Sequence, residues 1–379
     1  MKVALVLLLG LAALAALAEI AARAWMRRRG EYWVWTPHRR IRMEVCRETL
    51  PSLEPVVRFE VNRDGERGDE PPRDWRRAAR ILVAGGSAGE CYLLDQASSW
   101  PAVVQSILNE PAPLARLGVE RVHVGNVSRS LVPCECIHEI LSKILPRYER
   151  LDALLLMVGA SDVVNWLEKR APAEIARGRY TAADVFAEHP EGPFGWSPKR
   201  LALRRLAARL HQRFARPLEV REKAGKTLAK NRRMRAEAEE LIDEVPDPAP
   251  MLEAFGHWFR RILRLAKGRG ARVVVVRQPW FAKEFTPAEN ALMWNFGAGR
   301  PYVEHVKAYY THRVARELMG SLDALAERIA REEGVEQVDL MATLPRDLET
   351  YYDFFHFTPK GARQVGRAVA EALLDGRSP

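Results

Sequence analysis

Four cysteines in 379 residues are too few and too scattered for a disulfide framework. Cys46 and Cys91 stand alone. Cys134 and Cys136 precede His138, but the spacing is not that of a zinc knuckle and no second cysteine pair follows. Buried thiols are therefore expected rather than a metal site. The chain shows no internal repeat and no zinc-finger spacing. Its most basic stretch has no aromatics interleaved to stack on bases, which argues against a nucleic-acid partner. With 47% hydrophobic and 28% charged residues the chain is not disordered. A net charge of +10 suits an anionic surface without identifying one.

What is present begins with a long apolar run. From Val3 to Ala22 only Gly10 and Glu19 interrupt Ala, Leu, Val and Ile, close to the ~20 residues a helix needs to cross a bilayer. Ala16-Leu17-Ala18 resembles a signal-cleavage site. The helical pattern nevertheless continues to Trp25, which favours an uncleaved single-pass anchor. Trp25, Trp33 and Trp35 read as interfacial aromatics. Lys2 precedes the run, while Arg23, Arg27, Arg28 and Arg29 follow it. The positive-inside rule alone would keep the rest of the chain cytoplasmic; an extracytoplasmic domain stays open. The expected division is an anchor with its basic flank (1–29), an irregular linker and entry segment (30–79), and an α/β domain (80–375).

Within that domain apolar strands alternate with helices. Strands are expected at 80–85, 121–125, 153–158, 271–277 and 335–340, with helices over 100–109, 135–145 and 359–374. Continuous apolar strands separated by helices predict a parallel sheet covered on both faces. Reactive residues then gather beyond the C-terminal strand ends. Ser87, Asn126, Ser161 and Gln278 all lie there. The alternation stops over 166–255, read as a helical insertion. Its segment 199–240 holds fourteen Lys or Arg against five acids. That charge is either a solvated helical face or a contact for anionic lipid headgroups or an acidic polymer.

Two short motifs carry chemistry. An apolar strand runs into Gly85-Gly86-Ser87-Ala88-Gly89, where small residues let the backbone turn tightly and present a hydroxyl. Far downstream, Asp353-Phe354-Phe355-His356 precedes the Thr358-Pro359 helix start. A bend there can fold the carboxylate onto the imidazole, fixing its tautomer and stabilising the imidazolium. A serine needs such a base, because its hydroxyl is a weak nucleophile at its free pKa. Gly85-x-Ser87-x-Gly89 also fits the elbow of α/β-hydrolases. Against that fold, Ser87 follows the first core strand and the acid sits three residues before the histidine. Gln278, Trp280 and Asn295 are candidate pocket residues on position alone, and Asp162 a structural hydrogen-bonding residue.

These motifs resemble the SGNH (GDSL-type) hydrolases, in particular membrane-anchored bacterial members, over most of residues 58–375. Phe59 to Gly68 looks like the family's entry segment. Gly85-Gly86-Ser87 matches the nucleophile block, with Gly86 where Asp is common. Gly125-Asn126-Val127-Ser128 falls at the second block. Gly159-Ala160-Ser161-Asp162 stands where the third usually reads Gly-x-Asn-Asp, and Asp353-x-x-His356 matches the last. The resemblance implies a flavodoxin-like α/β/α sandwich, with Ser87 as nucleophile, His356 as base then acid, and Asp353 orienting it. It implies oxyanion donors at the Ser87 N–H, Asn126 and Ser161, the last two departing from the family's Gly and Asn. The expected reaction is acyl transfer through an acyl-serine, on ester-bearing lipids or O-acetylated glycans, to water or another hydroxyl, with no metal or organic cofactor implied. The alternative is a catalytically impaired module of this fold that binds a glycan, anionic lipid or protein at the membrane.

Overall fold

The computed structural model describes residues 2–178, 180–192 and 194–376. The strands are β1 Arg40–Glu44, β2 Val56–Glu60, β3 Ala78–Gly85, β4 Arg121–Asn126, β5 Ala153–Met157, β6 Leu218–Arg221, β7 Glu240–Ile242, β8 Arg272–Val276, β9 Ala308–Tyr310 and β10 Glu336–Val338. Five of them make one all-parallel sheet in the order β10-β8-β5-β3-β4. In chain order this is the 2-1-3-4-5 arrangement of flavodoxin-like folds.

The apolar runs explain the sheet. β3 and β5 are buried along their whole length, as strands covered on both faces must be. In one group of covering helices, Trp100–Leu108 packs on Pro359–Asp375. In the other, Ala249–Lys267 packs on Cys134–Ile144 and His312–Glu332. Helix Ala249–Lys267 buries Met251, Phe255, Phe259, Ile262, Leu263 and Ala266, the spacing of one helical face. The expected three-layer α/β/α parallel sheet is present.

Strand order reverses between β3 and β5, and loops leaving the sheet at such a point diverge and open a crevice. Ser87 follows β3, and Ser161 follows β5. Close strand approach sets the residue types here. A Cβ on Gly85 would lie 2.1 Å from the Met157 carbonyl oxygen, backbone that cannot swing aside. Gly85→Ala is expected to cost about 3 kcal/mol, the upper range for overpacking. It should appear as a lower denaturant midpoint at unchanged slope; an unshifted midpoint would mean that β5 gives way freely.

Three expectations need correction. The stretch 30–79 is not irregular throughout, because β1 and β2 pair antiparallel within it and Val57 and Phe59 are fully buried. Trp33 and Trp35, expected as interfacial aromatics, are half-buried in protein contacts: the Trp35 ring packs 5.1 Å from Phe59, and the Arg209 guanidinium lies 4.2 Å from the Trp33 ring. The stretch 166–255 is tied into the rest of the fold. β6 pairs with β1, β7 pairs with β9, and residue 255 lies inside the core helix Ala249–Lys267.

The N-terminal helix Lys2–Arg29 is long and apolar enough to cross a membrane by length and composition. A signal sequence near an N-terminus meets the same criterion.

Candidate active site

The segment before the last helix is a tight loop. Thr358 caps Pro359–Asp375 by accepting the Gly361 N–H at 3.1 Å, and Thr358 N–H donates to the Thr350 carbonyl at 2.9 Å. Phe354, Phe355 and Phe357 are buried and anchor the loop. Within it Asp353 Oδ1 accepts the N–H groups of Phe355 and His356 at 3.0 and 2.9 Å, an Asx-type turn. That turn carries the carboxylate to the ring, with both oxygens 2.8 Å from His356 Nδ1.

On the other side of the ring, His356 Nε2 lies 2.7 Å from Ser87 Oγ. Ser87, His356 and Asp353 thus form one continuous chain of contacts. The imidazole side chain keeps 17% of its surface exposed, whereas Asp353 is fully enclosed. Burial alone would raise the Asp353 pKa. The charge of His356 and four hydrogen-bonding contacts to the ring and backbone outweigh it and hold the carboxyl below its usual value. Burial would likewise depress His356, but the Asp353 charge and hydrogen bond prevail, Glu90 adds to them, and the imidazole titrates above its ordinary value.

Ser161 comes to this site. Its Oγ would be 2.8 Å from a Cβ placed on Gly86, so it sits directly over the turn that presents Ser87. Asn126 does not. Its N–H donates to the Arg67 carbonyl at 3.0 Å, and its side chain joins the Gly89 carbonyl and the Ser128 N–H at 2.8 and 2.9 Å. It braces the loop, its backbone N–H is committed to Arg67, and it does not line the cavity at Ser87. Leu131 lines the cavity instead. It sits in the left-handed region at φ 62°, and its N–H meets no partner among the described residues. Asn165 Nδ2 donates to the carbonyls of both Leu131 and Ser161, at 3.0 and 2.7 Å, clamping the two together.

The site opens into a cavity of about 400 Å³. Its walls are largely apolar, with Met43, Leu93, Val164, Val220, Leu228 and Phe296 among them. The basic stretch supplies much of the roof: helix Lys223–Ala236 places Lys223, Ala224, Thr227 and Leu228 over the cavity. Two of its arginines are structural. Arg232 donates to the carbonyls of Thr49 and Leu292 at 2.6 and 2.9 Å, and Arg235 to those of Asn295 and Tyr310 at 2.6 and 2.9 Å. At the wall Tyr302 donates to Glu168 at 2.7 Å. Burial dominates there and pushes Glu168 up to about 7.

Sequence reasoning missed Trp294, whose Nε1 donates to Asp353 Oδ2 at 2.9 Å. It also missed Tyr352, stacked on His356 at 5.5 Å. Asn295 lines the cavity; Gln278 and Trp280 do not. Asp162 receives the Cys134 N–H at 3.0 Å, where helix Cys134–Ile144 starts. Cys134 and Cys136 are buried, and His138 packs 5.0 Å from Trp258.

No protein-family model matches the chain, and no curated protein is significantly similar to it. Among solved structures it is similar to a candidate GDSL-like lipase from Parabacteroides merdae, at 12% identity and TM-score 0.44, over 80% of this chain and 98% of that one. It is also similar to Axe2, an acetylxylan esterase from Geobacillus stearothermophilus, at 12% identity and TM-score 0.40, over 78% and 94%. A lipase/acylhydrolase from Enterococcus faecalis matches at 12% identity and TM-score 0.38, over 79% and 98%. At such identities and scores none of these names transfers to this chain.

Proposed function

We propose that the chain is a membrane-anchored serine acyl hydrolase of the SGNH type, acting through an acyl-Ser87 intermediate. The 2.7 Å contact of Ser87 Oγ with a histidine that a buried aspartate holds by Nδ1 carries this reading. His356 accepts the Ser87 proton as Oγ attacks the ester carbonyl carbon. Asp353 steadies the imidazolium that forms. The tetrahedral oxygen takes the negative charge and needs donors already in place, each worth on the order of 3 kcal/mol in the transition state. Ser87 N–H, Leu131 N–H and the Ser161 hydroxyl are the proposed donors, Leu131 standing in for Asn126. His356 then returns the proton to the leaving alcohol. Water, deprotonated by the same histidine, attacks the acyl carbon; as the bond to Oγ breaks, His356 returns that proton to Oγ and the acid leaves. A second hydroxyl in place of water would make the reaction an acyl transfer.

The apolar cavity beside Ser87 favours a hydrocarbon acyl group, as in a lipid ester, over a bare acetyl on a sugar. A module that only binds would have no need of a serine within hydrogen-bond reach of an oriented base. The deciding experiment is labelling of the full chain with a fluorophosphonate. Loss of the adduct in Ser87→Ala supports the reading; a folded wild type that takes no label refutes it.

Glu90 gives a second handle. It is buried, accepts the Ser130 hydroxyl, and adds negative charge near His356. The general base works deprotonated, so kcat/KM should rise with pH through the His356 pKa. Glu90→Gln removes a charge that favours the imidazolium, and the acid limb should move to lower pH. A limb that stays in place would show that His356 does not feel this carboxylate.

A further inference from the structure

Helix Ala202–Phe214 turns an apolar stripe outward, which is unusual for a surface in water. In most surface helices the apolar stripe faces the core and the charges face solvent. Here Leu203, Leu210 and Phe214 fall on one helical face and are 38%, 65% and 77% exposed. The inward side holds Ala202 and Leu206, packed against the N-terminal helix, together with Arg205, Arg209 and Gln212. The Arg209 guanidinium pairs with Glu188 and sits 4.2 Å from the Trp33 ring, and that of Arg205 lies 5.4 Å from the Phe194 ring. The outward stripe continues to Leu218 and is accompanied by Trp196, 57% and 62% exposed.

The placement of this helix answers why. Its first turn is held by the membrane-length helix itself: Glu19 accepts the N–H groups of Ala202 and Leu203 at 2.8 and 3.0 Å. Ala22 and Met26 pack with Ala202 in one small buried cluster. Arg23 donates to the Gly195 carbonyl at 2.6 Å and lies 4.6 Å from the Trp196 ring. Residues 2–15 of the N-terminal helix, by contrast, are exposed all round. The helix Ala202–Phe214 therefore starts where the apolar helix leaves its unpartnered portion and enters the protein. Exposed Arg204, Arg213 and Arg216 flank the apolar stripe, positioned for anionic headgroups.

We infer that helix Ala202–Phe214 lies in the membrane interface, with Leu203, Leu210 and Phe214 among the acyl chains of an anionic leaflet. This inference rests on the reading of Lys2–Arg29 as a membrane anchor. It adds a functional consequence. β6 and helix Lys223–Ala236, which roof the cavity, follow Phe214 directly, so the roof is held at the lipid surface.

The test uses the full chain in vesicles of phosphatidylcholine and phosphatidylglycerol, with Cys46→Ser to remove the accessible native thiol. Nitroxides are placed at Leu11→Cys, Leu210→Cys, Phe214→Cys and, as a water-exposed reference, Glu120→Cys. Collision with oxygen reports lipid, and collision with a nickel chelate reports water. The expected result is an oxygen-to-nickel ratio raised over the Glu120 reference at Leu11, Leu210 and Phe214 alike. A raised ratio at Leu11 with reference values at Leu210 and Phe214 overturns the interfacial helix and leaves the anchor standing. A reference value at Leu11 removes the anchor and the inference with it. Low collision with both reagents at Leu210 and Phe214 places them against protein, which also overturns it.

Discussion

Ser87→Ala should abolish fluorophosphonate labelling and lower ester turnover by on the order of 10⁴-fold or more, while His356→Ala lowers it almost as far and the double variant no further. The non-additivity is the informative part. Ser87 without its base is an ordinary alcohol, because nothing removes its proton as the carbon–oxygen bond forms. His356 without Ser87 has only water to activate, in a site shaped for an attack from Oγ. Each residue works through the 2.7 Å contact between Oγ and Nε2, so losing either end removes the same step. Ser87→Ala should harm folding little, because Ser87 makes no other side-chain hydrogen bond among the described residues. His356→Ala leaves the enclosed Asp353 carboxylate without its charge partner, so its turnover is compared on protein shown to be folded. The residual rate should come from donors that remain in place around the substrate oxygen. Equal turnover in wild type and Ser87→Ala on any ester that the chain cleaves would place the chemistry elsewhere.

How much of this was legible in the sequence depends on how local each signal is. The parallel sheet was readable because β3, β5 and β8, its central strands, carry apolar runs, and burial on both faces demands such runs whatever surrounds them. Ser87 was visible because the tight turn that presents it is written in the adjoining glycines. Asp353 and His356 were visible because an Asx turn closes within four residues. Of the proposed oxyanion donors, Ser87 N–H and Ser161 were readable in the same way, but Leu131 in place of Asn126 was not. Whether an N–H is free depends on what lies across from it, and Asn126 loses its own to the carbonyl of Arg67, in the entry segment. Leu131 carried no glycine to advertise its left-handed backbone. Trp294 reaches Asp353 from another loop, and no pattern in sequence links the two. The roof was hidden for a related reason. β6 is four residues beside a basic helix, and its partner β1 lies far upstream. Trp33 and Trp35 followed an apolar helix and so looked interfacial; their contacts with Phe59 and Arg209 join distant segments and were not readable.

Asp353→Asn should lower kcat by roughly 10³- to 10⁴-fold with little change in KM, although the side chains differ by one atom. Everything around this carboxylate donates. Oδ1 takes two backbone N–H groups and Oδ2 takes the indole of Trp294 at 2.9 Å. Both oxygens also face His356 Nδ1. An amide brings an NH₂ into that ring of donors. If its oxygen keeps the backbone N–H groups, its NH₂ confronts the indole and the imidazole. The imidazole can then accept at Nδ1 only by carrying its proton on Nε2, and a protonated Nε2 cannot take the proton from Ser87. The missing charge also leaves the imidazolium without its main support, so the acid limb of any residual activity should fall to lower pH. Trp294→Phe provides the graded comparison. It removes one donor from Oδ2 but leaves the charge and the tautomer intact, and should cost far less in kcat. If Asp353→Asn and Trp294→Phe lowered kcat equally, Asp353 would be acting through loop geometry alone, and its role in holding the tautomer would have to be abandoned.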